Sequence, residues 1–207
     1  MIFTVAVDGP AASGKGTISR QISKYFGFSY LDTGLIYRYI GSKVLGGISP
    51  FQALSDMDYD SMNSKLLRVE AVSIAASKIA ADPKVREALV CYQKSFAKKM
   101  GGAVLDGRDI GTVISPDADI KFFVTASEKV RAERRFKELS LVDKELTFED
   151  LLRKIKKRDR ADKERSISPL VRAEDAVLLD TTELSIDTSV DIAINAVSKV
   201  LKSKTEK

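Results

Sequence analysis

The sequence predicts an α/β fold in which a parallel sheet carries helices on both faces. Short apolar runs recur along the chain, and the segments between them are long enough for helices. The first run is β-branched, ends in Asp8-Gly9-Pro10, and leads through a glycine-rich turn into good helix formers. This alternation is typical of parallel strands that are joined by helical crossovers.

Five apolar runs have the length of a buried strand. They lie at residues 2–7, 28–31, 103–105, 120–125 and 176–179. Because segments of helical length separate them, we expect all five to share one parallel sheet.

Glycine and proline signals mark the ends of the expected helices. One helix follows Gly14, a second covers residues 35–45 before a glycine pair, and a third runs from Pro83 toward residue 99. A capping pattern, Thr147-x-x-Asp150, predicts a loop that enters a charged helix. A last helix carries an apolar stripe that faces the core.

The composition excludes several classes of chemistry. The 207 residues include no histidine, so no imidazole base, no Ser-His-Asp triad and no histidine metal site can form. Cys91 is the only cysteine, which excludes an intramolecular disulfide and a multi-cysteine zinc site. We therefore expect a cytoplasmic protein, and no apolar run approaches the roughly 20 residues of a membrane span.

The positive charge is concentrated in one segment. The chain has a formal net charge of +5, and the whole excess lies between Lys129 and Arg172. A polyanionic partner is expected for such a segment. Nucleic acid, a membrane surface and a small phosphorylated substrate are the candidates.

A phosphate-binding loop follows the first strand. The motif Gly-x4-Gly-Lys is carried by Gly9, Pro10, Ala11, Ala12, Ser13, Gly14, Lys15, Gly16 and Thr17. Backbone N–H groups and the N-terminus of the following helix would bind phosphates, and Lys15 would reach the β and γ groups. Gly16 stands where many such loops have Ser or Thr, so we expect magnesium to be held largely through water, with the Thr17 hydroxyl as one contact.

Charged residues also follow the second and third strands, at the edge of the sheet where the phosphate loop lies. Arg38 comes after the second strand and is placed to receive a phosphate. After the third strand come Asp106, Arg108 and Asp109, of which Asp106 is the expected magnesium carboxylate, directly or through water.

The basic segment carries two sets of arginines at helical spacing. Arg131, Arg134 and Arg135 stand at i, i+3 and i+4, and Arg158, Asp162 and Arg165 stand at i, i+4 and i+7. Guanidinium groups bind phosphate oxygens in pairs, so these faces fit a transferring phosphoryl group.

Five stretches, in this order, make the chain resemble the bacterial cytidylate kinases. They are Gly-Pro-Ala-Ala-Ser-Gly-Lys-Gly-Thr from Gly9, Leu-Asp-Thr-Gly-x-x-Tyr-Arg ending at Arg38, Leu-Asp-Gly-Arg-Asp-Ile-Gly-Thr ending at Thr112, Arg-Asp-x-x-Asp-x-x-Arg ending at Arg165, and Leu-Asp-Thr-Thr ending at Thr182. The resemblance covers nearly the whole chain. It implies a P-loop kinase that transfers the γ-phosphoryl group of ATP, with Mg²⁺, to CMP or dCMP.

The resemblance also implies a role for each site residue. Arginines are expected to bind the acceptor phosphate, namely Arg38, Arg108, Arg158 and Arg165. The residues expected to read the cytosine are Ser77, Arg86 and Asp109. Asp162 is expected to contact the sugar, Thr33 to lie near the acceptor, and Arg135 to face ATP. Lys15, Arg135, Arg158 and Arg165 are the side chains expected to act in catalysis. A carboxylate at Asp109 would accept from cytosine N4, whereas uracil would turn an acceptor toward it.

The implied architecture is a single kinase domain with two appendages. The core comprises residues 1–46, 83–138 and 173–207, the acceptor-binding insert residues 47–82, and the lid residues 139–165. The insert is shorter than in longer family members, and residues 57–77 are expected to be mostly helical. The expected partners are nucleotides, with no nucleic acid or membrane, and the expected state is a monomer.

Two alternatives remain open at this point. A kinase of the same fold could act on AMP, UMP or dephospho-coenzyme A. A basic RNA-binding protein would explain the charge without any chemistry, although the basic segment has only Phe136 as an aromatic before Phe148 and so lacks a stacking platform.

Overall fold

A computed structural model describes residues 1–62, 66–140 and 145–206. The chain divides into two compact units, the first formed by Met1–Leu31 with Ala97–Lys207 and the second by Asp32–Phe96. The predicted insert, residues 47–82, falls inside the second unit. The predicted lid includes residues 141–144, which lie outside the described residues.

The first unit is built around a five-stranded sheet. Its strands are β1 (Thr4–Asp8), β2 (Ser29–Asp32), β3 (Ala103–Gly107), β4 (Ile120–Thr125) and β5 (Val177–Asp180). They are ordered β2-β3-β1-β4-β5, and β1 pairs in parallel with both β3 and β4, as β4 does with β5. The predicted α/β fold and all five predicted strands are confirmed, each strand to within two residues.

The described part of the first unit contains four long helices, two of which complete the core of the sheet. They are α1 (Lys15–Phe26), α6 (Glu128–Leu139), α7 (Phe148–Glu164) and α8 (Ile186–Thr205). Ile18 and Ile22 of α1 and Ala193 and Val197 of α8 pack against the apolar residues of β1, β3 and β4. All five residues of β1 are buried, as expected for a central strand with a neighbour on each side.

A smaller apolar cluster joins α6 and α7. Ala132 packs with Leu151 and Ile155, and Phe136 meets Phe148 edge to face with ring centroids 6.3 Å apart. The Thr147 side chain accepts a hydrogen bond from the Asp150 N–H, which confirms the predicted cap of the charged helix.

The second unit contains α2 (Thr33–Leu45), α3 (Pro50–Ser55), α4 (Glu70–Ile79) and most of α5 (Pro83–Ala97). The expectation of a mostly helical stretch at 57–77 is wrong for residues 57–62, which are not helical, and residues 63–65 lie outside the described residues. A short 3₁₀ turn covers Leu66–Arg68, and α4 begins at Glu70. Asp58 and Ser61 make local bonds to the backbone, and such bonds compete with helix formation.

Candidate active site

The phosphate loop has a backbone that only glycine permits at two positions. At Gly9 a Cβ atom would lie 2.0 Å from the Val124 carbonyl oxygen, so the loop passes directly against β4. Gly14 has a φ of 90° and caps the N-terminus of α1. The N-terminal N–H groups of α1 therefore face the loop, where an anion would bind. The Ser13 hydroxyl is buried there and makes no hydrogen bond within the described residues.

Lys15 lies beside the carboxylate that follows the third strand. Its Nζ atom is 3.5 Å from Asp106 Oδ1, and the Tyr30 hydroxyl donates to Asp106 Oδ2 at 3.3 Å. A Cβ atom at Gly16 would lie 3.0 Å from Asp106 Oδ2. The carboxylate thus occupies the space into which a Ser or Thr at position 16 would project. Glycine at position 16 therefore leaves room for the Asp106 carboxylate beside Lys15.

Arg131 is tied to both α7 and the phosphate loop. Its guanidinium forms a bidentate pair with Asp159 at 3.0 and 2.5 Å, and both side chains are almost fully buried. The same group donates to the Ala11 carbonyl at 3.2 Å and to the Ala126 carbonyl at 2.9 Å. Arg131 therefore supports the loop backbone from behind.

Arg134 reaches the same loop through Thr181. It donates to the Thr181 hydroxyl at 2.9 Å and carbonyl at 2.7 Å, and that hydroxyl donates to the Ser13 carbonyl at 3.1 Å. The sequence analysis singles out Arg134 by its spacing, whereas it includes Thr181 only in the stretch that ends at Thr182 and gives it no role. The signal for Thr181 was its place directly after β5, where polar side chains reach the functional edge of the sheet.

Three arginines surround one carboxylate in the predicted acceptor region. Arg108 donates to Asp162 at 2.9 Å. Burial opposes ionisation of Asp162, but the charges of Arg108, Arg158 and Arg165 prevail and hold its pKa below the usual range. Guanidinium groups bind phosphate oxygens in pairs, so a cluster of three of them is suited to a phosphate group.

Arg165 lies just beyond the helix that carries its predicted partners. Helix α7 ends at Glu164 and Arg165 is its C-cap, yet the charge of Arg165 still acts on Asp162 together with that of Arg158. Arg165 has extended backbone and still turns inward. Its Nε donates to the Ser168 carbonyl at 2.6 Å, and its Nη2 is 4.0 Å from Asp109.

Asp8 is a buried carboxylate of this site that the sequence analysis did not single out. Its two oxygens accept hydrogen bonds from the N–H groups of Ile110 (2.8 Å) and Gly111 (2.7 Å). Burial raises its pKa to about 7, with a further rise from Asp109 and opposing contributions from the two backbone bonds and Arg108. The signal was its position as the last residue of β1, the same reasoning that selected Asp106.

The raised pKa predicts that stability falls as pH rises. Unfolded Asp8 titrates near 3.8, so between pH 4 and 7 the folded chain binds more protons, and the free energy of unfolding decreases with pH. The full shift corresponds to on the order of 4 kcal/mol. We expect Asp8→Asn to remove this component. Urea unfolding at pH 4.5 and pH 8 should therefore show a smaller decrease in the free energy of unfolding with pH for the variant than for the parent. An equal decrease in both proteins would contradict this role of Asp8.

The remaining predicted acceptor residues lie in the second unit. Thr33 is the buried first residue of α2, and the Arg38 guanidinium lies close to Gly34 in the same turn. Arg86 of α5 is buried, donates to the Ala80 carbonyl at 2.9 Å, and stands 5.8 Å from the ring centre of Tyr37. Ser77 is a partly exposed residue of α4.

Two predicted donor-side residues lie on the helices next to the phosphate loop. Thr17 is in the first turn of α1, and its N–H donates to the Gly14 carbonyl at 3.0 Å. Arg135 is on α6, where it pairs with Glu138 at 2.6 Å. Their roles toward ATP and metal stay predictions.

Comparison with known proteins decides the family. The model of the protein family described as "Cytidylate kinase" matches the chain over two overlapping segments, residues 5–58 and 51–199. The chain belongs to the cytidylate kinase family. A cytidylate kinase of Cereibacter sphaeroides is 52% identical over 197 residues, 95% of this chain and 96% of that protein. One of Azorhizobium caulinodans is 48% identical over 201 residues, covering 94% of this chain and 98% of the relative.

Solved structures support the fold of this cytidylate kinase family member. An uncharacterized protein from Eubacterium ventriosum aligns with a TM-score of 0.60 at 12% identity, over 95% of this chain and 98% of that one. A gluconokinase from Sinorhizobium meliloti aligns with a TM-score of 0.53 at 13% identity, over 99% and 96%. At these identities the similarity shows the fold alone. No helix in the described parts of the chain is long and apolar enough to cross a membrane.

Proposed function

We propose that this chain transfers the γ-phosphoryl group of ATP to CMP or dCMP, yielding ADP and CDP or dCDP. Membership of the cytidylate kinase family gives the reaction class. The structural observation that carries the proposal is the arginine cluster around Asp162, because it lies in the same unit as the phosphate loop. One unit thus holds a site for a donor triphosphate and a positive site suited to a second phosphate.

On the donor side, the loop backbone and Lys15 bind the β and γ phosphates. The N–H groups at the start of α1 and the Ser13 hydroxyl add neutral donors, and Lys15 supplies positive charge where negative charge develops. Arg131 stabilises the loop backbone through its hydrogen bond to the Ala11 carbonyl. Arg134 does so through Thr181, which donates to the Ser13 carbonyl. We propose that Arg135 contacts ATP from α6.

The site residues fit a magnesium ion bound mainly by water and phosphates. Asp106 places one buried carboxylate next to Lys15, at the space left by Gly16. The described residues contain no cluster of three metal-binding side chains, and Mg²⁺ typically needs only one or two carboxylates beside phosphate oxygens. Asp106, and Thr17 through water, would hold the ion. The ion would neutralise charge on the transferring group.

On the acceptor side, Arg108, Arg158 and Arg165 would bind the nucleotide phosphate, together with Arg38. Asp162 would contact the sugar, and Asp109, Ser77 and Arg86 would read the base, with Thr33 nearby. A protein base is dispensable because the acceptor is already an anionic phosphate. Phosphoryl transfer passes through a loose transition state, so positioning and charge neutralisation carry the rate. Closure of the predicted lid, residues 139–165, would exclude water and limit ATP hydrolysis.

A substrate panel tests the proposal. We expect ATP and Mg²⁺ to support rapid phosphorylation of CMP and dCMP, with far slower reaction of UMP, AMP and dephospho-coenzyme A. Coupled assays of ADP release measure this, and preference for one of the other acceptors would overturn the assignment. Binding of single-stranded RNA without kinase activity would instead favour the charge-driven alternative. A cytoplasmic monomer stays our expectation.

Asp109→Ala tests the base-reading role. A hydrogen bond to a buried carboxylate is worth about 1.5–3 kcal/mol, so kcat/KM for CMP should fall about 10- to 100-fold. The KM for ATP should change little, because Asp109 would not touch the donor. Steady-state kinetics with each substrate varied in turn, alongside the melting temperature, separates these outcomes. Equal loss toward both nucleotides would refute an acceptor role.

A further inference from the structure

We propose that Asp8 is a positioning residue that caps the turn behind Asp109 and so leaves the Asp109 side chain directed to the acceptor site. The inference rests on the proposed function only where it assigns Asp109 to the acceptor. Asp8 itself ends β1 and directly precedes Gly9, the first residue of the phosphate loop. Asp8 therefore connects the phosphate loop with the segment that carries Arg108 and Asp109, and the proposed reaction needs these two segments at a fixed distance from each other.

The turn after Asp109 has N–H groups that need acceptors. Ile110–Ile114 form a π-helical turn, in which the N–H of Ser115 donates to the Ile110 carbonyl at 2.7 Å. The first N–H groups of any helical turn have no acceptor within the turn. A residue such as Asp109, which directly precedes the turn, is the usual source of a capping carboxylate.

Asp109 does not perform this task. Its side chain makes no capping bond to the turn, and Arg165 is 4.0 Å from its Oδ1 atom. Both leading N–H groups are instead bound by Asp8, one to each carboxylate oxygen, at 2.8 and 2.7 Å. A carboxylate 102 residues away in sequence from Ile110 thus caps the turn.

Burial makes this cap a rigid one. Asp8 and Asp109 are 4% and 5% exposed, and Ile110, the first residue of the turn, is completely buried. The strand register pairs Asp8 with Gly107, one residue before Arg108. The cap therefore anchors the chain directly after Arg108 and Asp109, and its loss would let both side chains move relative to the phosphate loop.

Asp8→Asn keeps the size of the side chain and loses one of the two acceptors. We expect the KM for CMP at pH 8 to rise about tenfold or more, with a smaller change in the KM for ATP. The double variant Asp8→Asn/Asp109→Asn should lose less than the two single effects combined, because both act through one carboxylate. Additive losses, or equal losses toward ATP and CMP, would overturn the inference.

Asp119→Asn is the matched control. Asp119 also accepts a hydrogen bond from a backbone N–H of β1, that of Thr4 at 2.7 Å, but at the opposite end of the strand. This variant should loosen that end of β1 and leave the KM for CMP unchanged. A rise in that KM with Asp119→Asn would show that general loosening of β1 accounts for the effect.

Amide hydrogen exchange tests the cap without reference to activity. In Asp8→Asn the Ile110 or Gly111 amide should exchange at least about tenfold faster, while Asp119→Asn should affect the Thr4 amide instead. Unchanged exchange at Ile110 and Gly111 would overturn the cap. If the parent chain did not phosphorylate CMP at all, the proposed function would fail, and this measurement would still decide the role of Asp8.

Discussion

Lys15→Ala is expected to lower kcat by about 10²- to 10³-fold or more. Lys15 is the cation that the phosphate loop places against the transferring group, and one preorganised donor of this kind is worth about that factor. Its removal also takes away a cation that lies 3.5 Å from the buried Asp106 carboxylate. The positive charge of Lys15 would then no longer offset the repulsion between the Asp106 carboxylate and the phosphates. Single-turnover measurements with saturating ATP and CMP report this loss directly.

Two variants control this experiment. Lys24 lies in the last turn of the same helix and is exposed, so Lys24→Ala should retain full activity. Lys15→Arg keeps the charge but not the compact ammonium, and an intermediate loss is expected. The fold should persist in Lys15→Ala, because Asp106 keeps the hydrogen bond from Tyr30. A loss of less than tenfold would mean that Lys15 does not contact the transferring phosphate.

Asp159→Ala is expected to lower the free energy of unfolding by about 3–5 kcal/mol. The substitution strands the Arg131 guanidinium, which is 4% exposed, in a site built for a bidentate ion pair. Breaking a buried pair by removing one partner costs this much because the remaining charge stays desolvated. Arg131 would keep its bonds to the Ala126 and Ala11 carbonyls, which do not neutralise it. Urea denaturation measures the loss.

A double variant separates stability from function at this pair. Arg131→Met/Asp159→Leu replaces both charges with apolar groups, so most of the lost stability should return. Only this double variant loses the bond from Arg131 to the Ala11 carbonyl, so we expect its KM for ATP to be raised. Arg153→Ala, which breaks an exposed pair with Asp150 on the same helix, should barely move the unfolding midpoint. A stable Asp159→Ala single variant would contradict the argument.

The local features of this chain can be predicted from its sequence. The five strands, the phosphate loop and the caps depend on short apolar runs and on single residues such as Gly14 and Thr147. Their physical causes act within a few residues, through strand propensity, backbone conformation and capping bonds. The expectation of a helix was wrong for residues 57–62, because local side-chain bonds to the backbone compete with helix formation there.

The sequence by itself therefore determined the α/β class, the phosphate loop and the edge of the sheet where charged side chains collect. Only the tertiary structure decided which of those charges meet. Asp8 caps a turn beginning at Ile110, Arg131 pairs with Asp159, and Thr181 reaches the Ser13 carbonyl. These contacts join residues that are distant in sequence, and their strength comes from burial. No local pattern could select among the many aspartates and arginines that share the same spacing.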